Sequence, residues 1–225
     1  MIFMKIDDLS IEFLGHAGFL VIYKGRKIVI DPYHVSDKVP KADVILISHG
    51  HSDHCSIKDV QKISKKGTLV LCPVDCQSTL IKIKEIELHI VDESDIIDFG
   101  YAKVEPFPAY TLNGKHSKQE GWLGFVIKLG NKIIYFSGDT GRTPEMQRLS
   151  GHGKKGNNFI VLLPVAGEDL INFLESFNCV KLLNPDLAIP MNYGSGICGT
   201  EKDARMFVDL CKQNGFNAIM LDKFV

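Results

Sequence analysis

The order of apolar and amphipathic segments predicts an α/β fold of two mixed β-sheets sandwiched between helix layers. Three observations carry that expectation. Short apolar runs come first as meanders and later alternate with helical patterns. The run Val44-Ile45-Leu46-Ile47 is continuously apolar, the pattern of a strand buried on both faces. A turn followed by a strand occurs twice, as Gly25-Arg26-Lys27-Ile28-Val29-Ile30-Asp31 and as Gly130-Asn131-Lys132-Ile133-Ile134-Tyr135, which fits a fold of two similar halves.

Taken in order, the segments 11–14, 19–23 and 28–30 read as a three-strand meander, with Gly25 where the second turn is needed. The buried strand 44–47 ends at Ser48-His49. A helix follows over 56–64, capped by Ser56, striped by Ile57, Val60 and Ile63, and ended before Gly67. Thr68–Cys72 is a strand, 75–82 a short helix, and 87–91, 101–107, 124–129 and Lys132–Phe136 are further strands. Beyond them, 159–163 is an apolar strand, and Leu170, Phe173, Leu174 and Phe177 stand at helical spacing. A short strand at 187–189 precedes a helix at 200–214, with Thr200 as its cap and Gly215 just past its end. The last strand is expected near 218–221. With no linker-like shift in composition, residues 1–225 read as a single domain.

The 225 residues are 45% hydrophobic and 24% charged, enough to bury a core without staples. Lys and Arg number 26 against 27 Asp and Glu, so the basic excess of a dedicated nucleic-acid binder is absent. No apolar run approaches the ~18 residues of a membrane span, and no export signal is apparent. Cys55, Cys72, Cys76, Cys179, Cys198 and Cys211 contain no CxxC pair and read as reduced, buried thiols. The expectation is a cytoplasmic protein acting on a small molecule, with no nucleic-acid or membrane partner and an oligomeric state left open.

The most informative segment is Ser48-His49-Gly50-His51-Ser52-Asp53-His54, which sets three imidazoles and a carboxylate directly after a buried strand. Imidazole nitrogen and carboxylate oxygen suit zinc and related divalent ions. On an extended backbone His49 and His51 point the same way, while Asp53 and His54 fall at the loop–helix boundary and can face a second ion. Two ions a few ångströms apart are an arrangement used to activate water for hydrolysis. A polar loop with surface histidines is the plainer alternative.

His49-Gly50-His51-Ser52-Asp53-His54 resembles the HxHxDH signature of the metallo-β-lactamase superfamily. Leu14-Gly15-His16-Ala17-Gly18-Phe19, Ile30-Asp31-Pro32, Ser137-Gly138-Asp139-Thr140, Leu163-Pro164-Val165 and Ile189-Pro190-Met191-Asn192-Tyr193-Gly194 resemble further segments of that family, in order along most of the chain. The nearest subgroup is the small, lactonase-like members that include the L-ascorbate-6-phosphate lactonases. The resemblance implies a four-layer αβ/βα sandwich. It also implies a hydrolase using metal-activated water on a small anionic ester, lactone or phosphoester. The cofactor would be one or two divalent ions, zinc first, with manganese or iron as alternatives. His49 and His51 would hold the first ion and Asp53 and His54 the second. Asp139 would bridge them, and Asp53 would also orient the attacking water. His16 and Asp31 would lie beside the site and orient its ligands, Asp31 having a plain turn before Pro32 as its other reading.

Two positions depart from the family pattern. After the strand ending near Phe107 the stretch Pro108-Ala109-Tyr110-Thr111-Leu112-Asn113-Gly114-Lys115-His116 offers a single histidine. His116 is then the mid-chain ligand, or a solvent-facing loop residue. Asn192 stands where the family carries histidine, and an amide oxygen is a weaker donor to zinc but suits harder ions. Either the second ion is weak or absent, or it is a harder ion such as manganese, or the chain is a degenerate, non-catalytic member with one metal site or none. The loop 151–156 lacks phosphate-binding spacing and reads as surface.

Overall fold

The computed structural model describes residues 2–112, 116–153, 156–167 and 169–225, so expectations resting on Asn113, Gly114, Lys115, Lys154, Lys155 and Glu168 lie outside the described residues. The chain divides into two compact units, Met1–Val91 with Leu221–Val225, and Asp92–Met220.

The first unit holds a seven-stranded sheet whose strands lie in sequence order. β1 (Met4–Ile6), β2 (Leu9–Gly15), β3 (Gly18–Tyr23) and β4 (Arg26–Ile30) form the antiparallel meander. From β4 onward the pairing turns parallel through β5 (Val44–Leu46), β6 (Thr68–Cys72) and β7 (Ile86–Ile90). A parallel step needs a crossover, and α1 (Ile57–Ile63) provides it between β5 and β6. The β6–β7 crossover is a 3-10 turn at Val74–Cys76 running into α2 (Gln77–Leu80), shorter and less regular than the helix expected over 75–82. Val60 and Ile63 of α1 pack into a core with Leu20, Val29, Ile45 and Val70, each aliphatic chain contributing about 1.5–3 kcal/mol by leaving water. Ser56 caps α1 as expected, its Oγ accepting from Asp59 N. The buried Asp59 carboxylate accepts from His34 N and Val35 N at 3.0 Å each and pins the loop that follows β4.

In the second unit β8 (Ile97–Asp98), β9 (Lys103–Pro108), β10 (Leu123–Leu129) and β11 (Lys132–Phe136) are antiparallel neighbours. β12 (Asn158–Pro164) and β13 (Leu187–Met191) then add in parallel. The two turn-then-strand echoes become β4 and β11, each the strand at which its own sheet changes from antiparallel to parallel. α3 (Phe173–Leu183) and α4 (Glu201–Gln213) both open on capping boxes, Asn172 with Glu175 and Thr200 with Asp203.

The helical stripe placed on α3 is off by part of a turn. Leu170 precedes the helix and Leu174 is 52% exposed, while Phe177, Cys179, Val180 and Leu183 are buried. The expected strand at 218–221 reduces to one bridge, Ala218 to Ala188. The segment beyond it returns to the first unit, where Phe224 N donates to Phe13 O at 2.7 Å. β1 and β8 are not legible in the sequence because three and two residues carry no periodicity. All six cysteines are free thiols, five of them buried. No helix among the described residues is long and apolar enough to cross a membrane.

Glu145, on the β11–β12 connection, ties it to the β9–β10 connection, accepting from Tyr110 Oη and Lys118 Nζ at 2.7 Å each. Burial raises its carboxyl, but these two partners outweigh that and hold it at about 2, below the usual 4.5. A depressed folded pKa stabilises above the unfolded value, and that stabilisation fades as pH falls toward the folded one. Glu145→Gln should therefore melt below the parent at neutral pH, with the gap closing between about pH 4.5 and about pH 2. Melting curves across that window check it, and a gap that stays constant would refute the assignment.

Candidate metal centre

Groups carried at the carboxyl ends of parallel strands face a common crevice, the usual ligand position in α/β sheets. In the first unit, Asp31 directly follows β4, and β5 runs out through Ile47, whose N donates to Leu71 O, into Ser48-His49. Asp31 is fully buried with φ 40°. Its Oδ1 accepts from Ser48 N at 2.8 Å and its Oδ2 from Ser48 Oγ at 2.5 Å and His54 Nδ1 at 2.8 Å.

Because Ser48 gives its one hydroxyl proton to Asp31, its oxygen can only accept from His49 Nδ1, 2.9 Å away. One carboxylate thus sets both imidazoles, His54 directly and His49 through Ser48, as the Nδ1–H tautomer with the lone pair on Nε2. This is the way ligating histidines are usually oriented. Asp31 lies beside the histidine loop, in hydrogen-bond contact with Ser48 and His54. Ser48 was not singled out in the sequence, although its place between a strand end and His49 was a usable signal.

The loop then turns tightly, with His54 N and Cys55 N both donating to His51 O at 3.0 and 2.7 Å. The His49 and His54 ring centres lie 4.1 Å apart and those of His49 and His51 4.7 Å apart. His51 is exposed, whereas His49 and His54 are fully buried. Gly50 N donates to Asp75 Oδ2 at 2.8 Å, a brace that nothing in the sequence announced.

Asp53 lies between two imidazoles, with His16 Nε2 at 2.8 Å and His54 Nε2 at 3.6 Å from its Oδ2. Burial raises the Asp53 carboxyl, but the His16 hydrogen bond and the His54 and His16 charges overcome it and hold it at about 2. Asp53 is therefore ionised at neutral pH and His16 is the donor. His16, Asp53 and His54 offer donor atoms all within 4.8 Å of one another.

The remaining expected residues belong to the second unit. Asp139 follows β11, is 8% exposed, and accepts from Asn192 Nδ2 at 2.8 Å on Oδ1. It does not cap the neighbouring 3-10 turn Pro144–Leu149, whose cap position is Thr143. His116 is buried, its backbone exchanging hydrogen bonds with Thr111 (His116 N to Thr111 Oγ1, 3.0 Å; Thr111 N to His116 O, 2.8 Å). Its ring meets Trp122 edge-on at 4.9 Å. The donor set of imidazoles and carboxylates fits a divalent transition ion better than calcium or magnesium, which prefer all-oxygen shells.

Residues 10–192 match the family described as the beta-lactamase superfamily domain. A UPF0173 metal-dependent hydrolase of Thermoplasma acidophilum is 32% identical over 200 residues, covering 84% of this chain and 85% of its own. Another, of Nanoarchaeum equitans, is 31% identical over 220 residues, covering 96% and 97%. The crystal structure of a protein from Parabacteroides distasonis superposes with a TM-score of 0.81 at 24% identity over 98% of each chain. That likeness shows the fold class: α/β, with two mixed sheets and flanking helices.

Proposed function

The chain belongs to the beta-lactamase superfamily, and on that premise we propose that it is a metal-dependent hydrolase. In this reading His49, His51, Asp53 and His54 hold a divalent ion and the substrate is a small anionic ester, lactone or phosphoester. The observation that carries it is the Asp31 carboxylate, which fixes two buried imidazoles in one tautomer. Buried polar groups are costly unless satisfied, and a pair so oriented has a use as ligands. The printed names of the relatives, metal-dependent hydrolases, support the same reaction class. Within the second unit, His116 and Asp139 are proposed as metal ligands. Zinc is the first candidate ion.

When bound, a divalent ion supplies Lewis-acid activation of water at neutral pH. The residues do the rest. His16 donates to Asp53 Oδ2, which fixes the carboxylate that holds the ion and orients the attacking water. Asp31 keeps the His49 and His54 rings from rotating away. In the second unit a cavity of about 750 Å³ is lined by Thr111, Leu112, Arg142, Leu170 and Asn172 among others. We take this cavity as the substrate's, with its lining residue Arg142 as the cation that would pair a substrate carboxylate or phosphate.

The test is a panel of lactones, carboxylic esters and phosphoesters, run on metal-stripped and on metal-loaded protein. Turnover that chelation removes and zinc or manganese restores is the expected result; no turnover on any member at full loading would sink the proposal. Arg142→Gln should raise KM for anionic substrates about tenfold, the worth of one charge-assisted hydrogen bond. Neutral esters should be unaffected, and equal effects on both classes would remove Arg142 from the substrate site.

One observation favours a second reading, a non-catalytic member with one ion or none: Asn192 hydrogen-bonds to Asp139 where the family resemblance calls for histidine. Metal content separates the two readings, since two equivalents with chelator-sensitive turnover exclude the second.

A further inference from the structure

β7 is the last strand of its sheet, and no strand among the described residues pairs with its outer side. It runs as Ile86-Glu87-Leu88-His89-Ile90, in unbroken register with β6. Proteins usually blunt such an edge with lysine, proline or a bulge, because its outward amides and carbonyls are a template for another strand. β7 has none of these. Glu87, His89 and Ile90 are exposed, while Ile86 and Leu88 are half-buried against the core of the first unit.

The neighbouring hydrogen bonds give the direction of the backbone. Val91 N donates to Cys72 O at the end of β6. Backbone groups alternate sides along a strand, so residues 87 and 89 face β6 as well, and Ile86, Leu88 and Ile90 turn their N–H and C=O outward. Side chains alternate across the sheet, so those three share one face and Glu87 and His89 share the other.

The strand is self-complementary about Leu88. Set antiparallel to a second copy with Leu88 opposite Leu88, Ile86 stands opposite Ile90 and Glu87 opposite His89. The outward-facing residues then make the hydrogen-bonded pairs, with two main-chain bonds at each. Glu87 and His89 fall at the closer positions, about 4.5 Å between Cα atoms, where cross-strand side chains interact most. An imidazole carries an N–H in either protonation state and can donate it to the carboxylate. A slip of two residues would put Glu87 opposite Glu87 or His89 opposite His89. A slip of one would turn the outward amides away from their partners. Charge and backbone direction therefore select the same register. Apolar surface adjoins the strand: α2 packs against β7, and Val74 and Ile81, on either side of α2 in the chain, are each 64% exposed.

We propose that β7 is a self-recognition edge, through which two copies of this chain pair β7 to β7 in an antiparallel, two-fold arrangement centred on Leu88. A strand of this length does not by itself bury the ~1,200 Å² of a standard stable interface, so monomer and dimer exchange with protein concentration.

Sedimentation velocity on the full-length protein, from about 1 to about 300 µM, reads this exchange. The parent should pass from monomer to dimer across that range. Ile90→Pro deletes one outward N–H on each copy and spares the ladder to β6. It should stay monomeric while keeping the parent's circular dichroism. His89→Glu sets carboxylates opposite each other at both symmetry-related positions and should weaken the dimer about tenfold. Adding Glu87→Lys to His89→Glu restores opposite charges across the pair and should bring back the parental dissociation constant. If the edge instead receives a strand of another protein, the parent stays monomeric throughout and self-pairing is refuted. A dimer that Ile90→Pro and His89→Glu leave unchanged uses another surface and refutes it equally.

Discussion

Asp31→Ala is expected to lose most metal uptake and to melt about 10 °C below the parent, a drop worth about 3–5 kcal/mol at this chain length. The substitution strips three donors of their acceptor at once: Ser48 N, Ser48 Oγ and His54 Nδ1. Asp31, Ser48 and His54 have no exposed surface, so water cannot replace the lost oxygens. Each stranded group costs about 1–3 kcal/mol, and the costs do not simply add. Alanine also sits poorly at φ 40°, adding about 1 kcal/mol of strain. Freed from Nδ1, the His54 ring loses its preferred tautomer, and Ser48 no longer transmits one to His49. Losing such an orienting partner typically lowers metal affinity about 10–100-fold. Asp31→Asn keeps one acceptor and tolerates the backbone, so it should fall between the two. Thermal melts with metal content by elemental analysis decide the matter, and parental values for Asp31→Ala would remove Asp31 from the centre.

The second large effect is expected from Gly138→Ala, one residue before Asp139. At φ 65° the position is left-handed, and a Cβ there would lie 2.5 Å from Leu123 O, a backbone atom of β10 that cannot yield cheaply. Overpacking of about 1–3 kcal/mol adds to backbone strain of about 1 kcal/mol, for about 3 kcal/mol in all. The 138–139 turn must shift to relieve the clash, so the Asp139–Asn192 hydrogen bond should break as well. Gly25→Ala is the control: its φ is 78°, but nothing lies within 4 Å of the added carbon. That variant should lose only the strain. Equal melting temperatures for the two variants would mean that the contact with Leu123 O is not what constrains Gly138.

The parts of the fold legible in the sequence are those governed by local rules. The caps of α1 and α4 were read from Ser56 and Thr200. β6 and β11 were bounded to the residue because their apolar runs are flanked by turn residues. The order of meanders and helical segments pointed to two sheets between helix layers, while the change from antiparallel to parallel pairing within each sheet is seen only in the fold. Errors came where burial rather than propensity decides. Leu174 has helical spacing but faces out, because the face of α3 that is buried follows from what packs on it.

Residue type alone picks out the histidine loop: three imidazoles and a carboxylate within six positions, after an apolar strand that has to be buried. Such a cluster is local, and its chemistry follows from residue type alone. How those side chains are held is a matter of the fold. Asp31 reaches Ser48 and His54 from 17 and 23 positions away, His16 reaches Asp53 from 37, and Asn192 reaches Asp139 from 53. Helical and turn preferences act over about four residues, whereas these contacts are set by which strands neighbour each other and in what register. The parallel pairing of β4 with β5 brings Asp31 beside Ser48, and the order β11, β12, β13 brings Asn192 to Asp139. The residue type at position 192 could be read from the chain, but the direction of its amide is a property of the folded sheet edge.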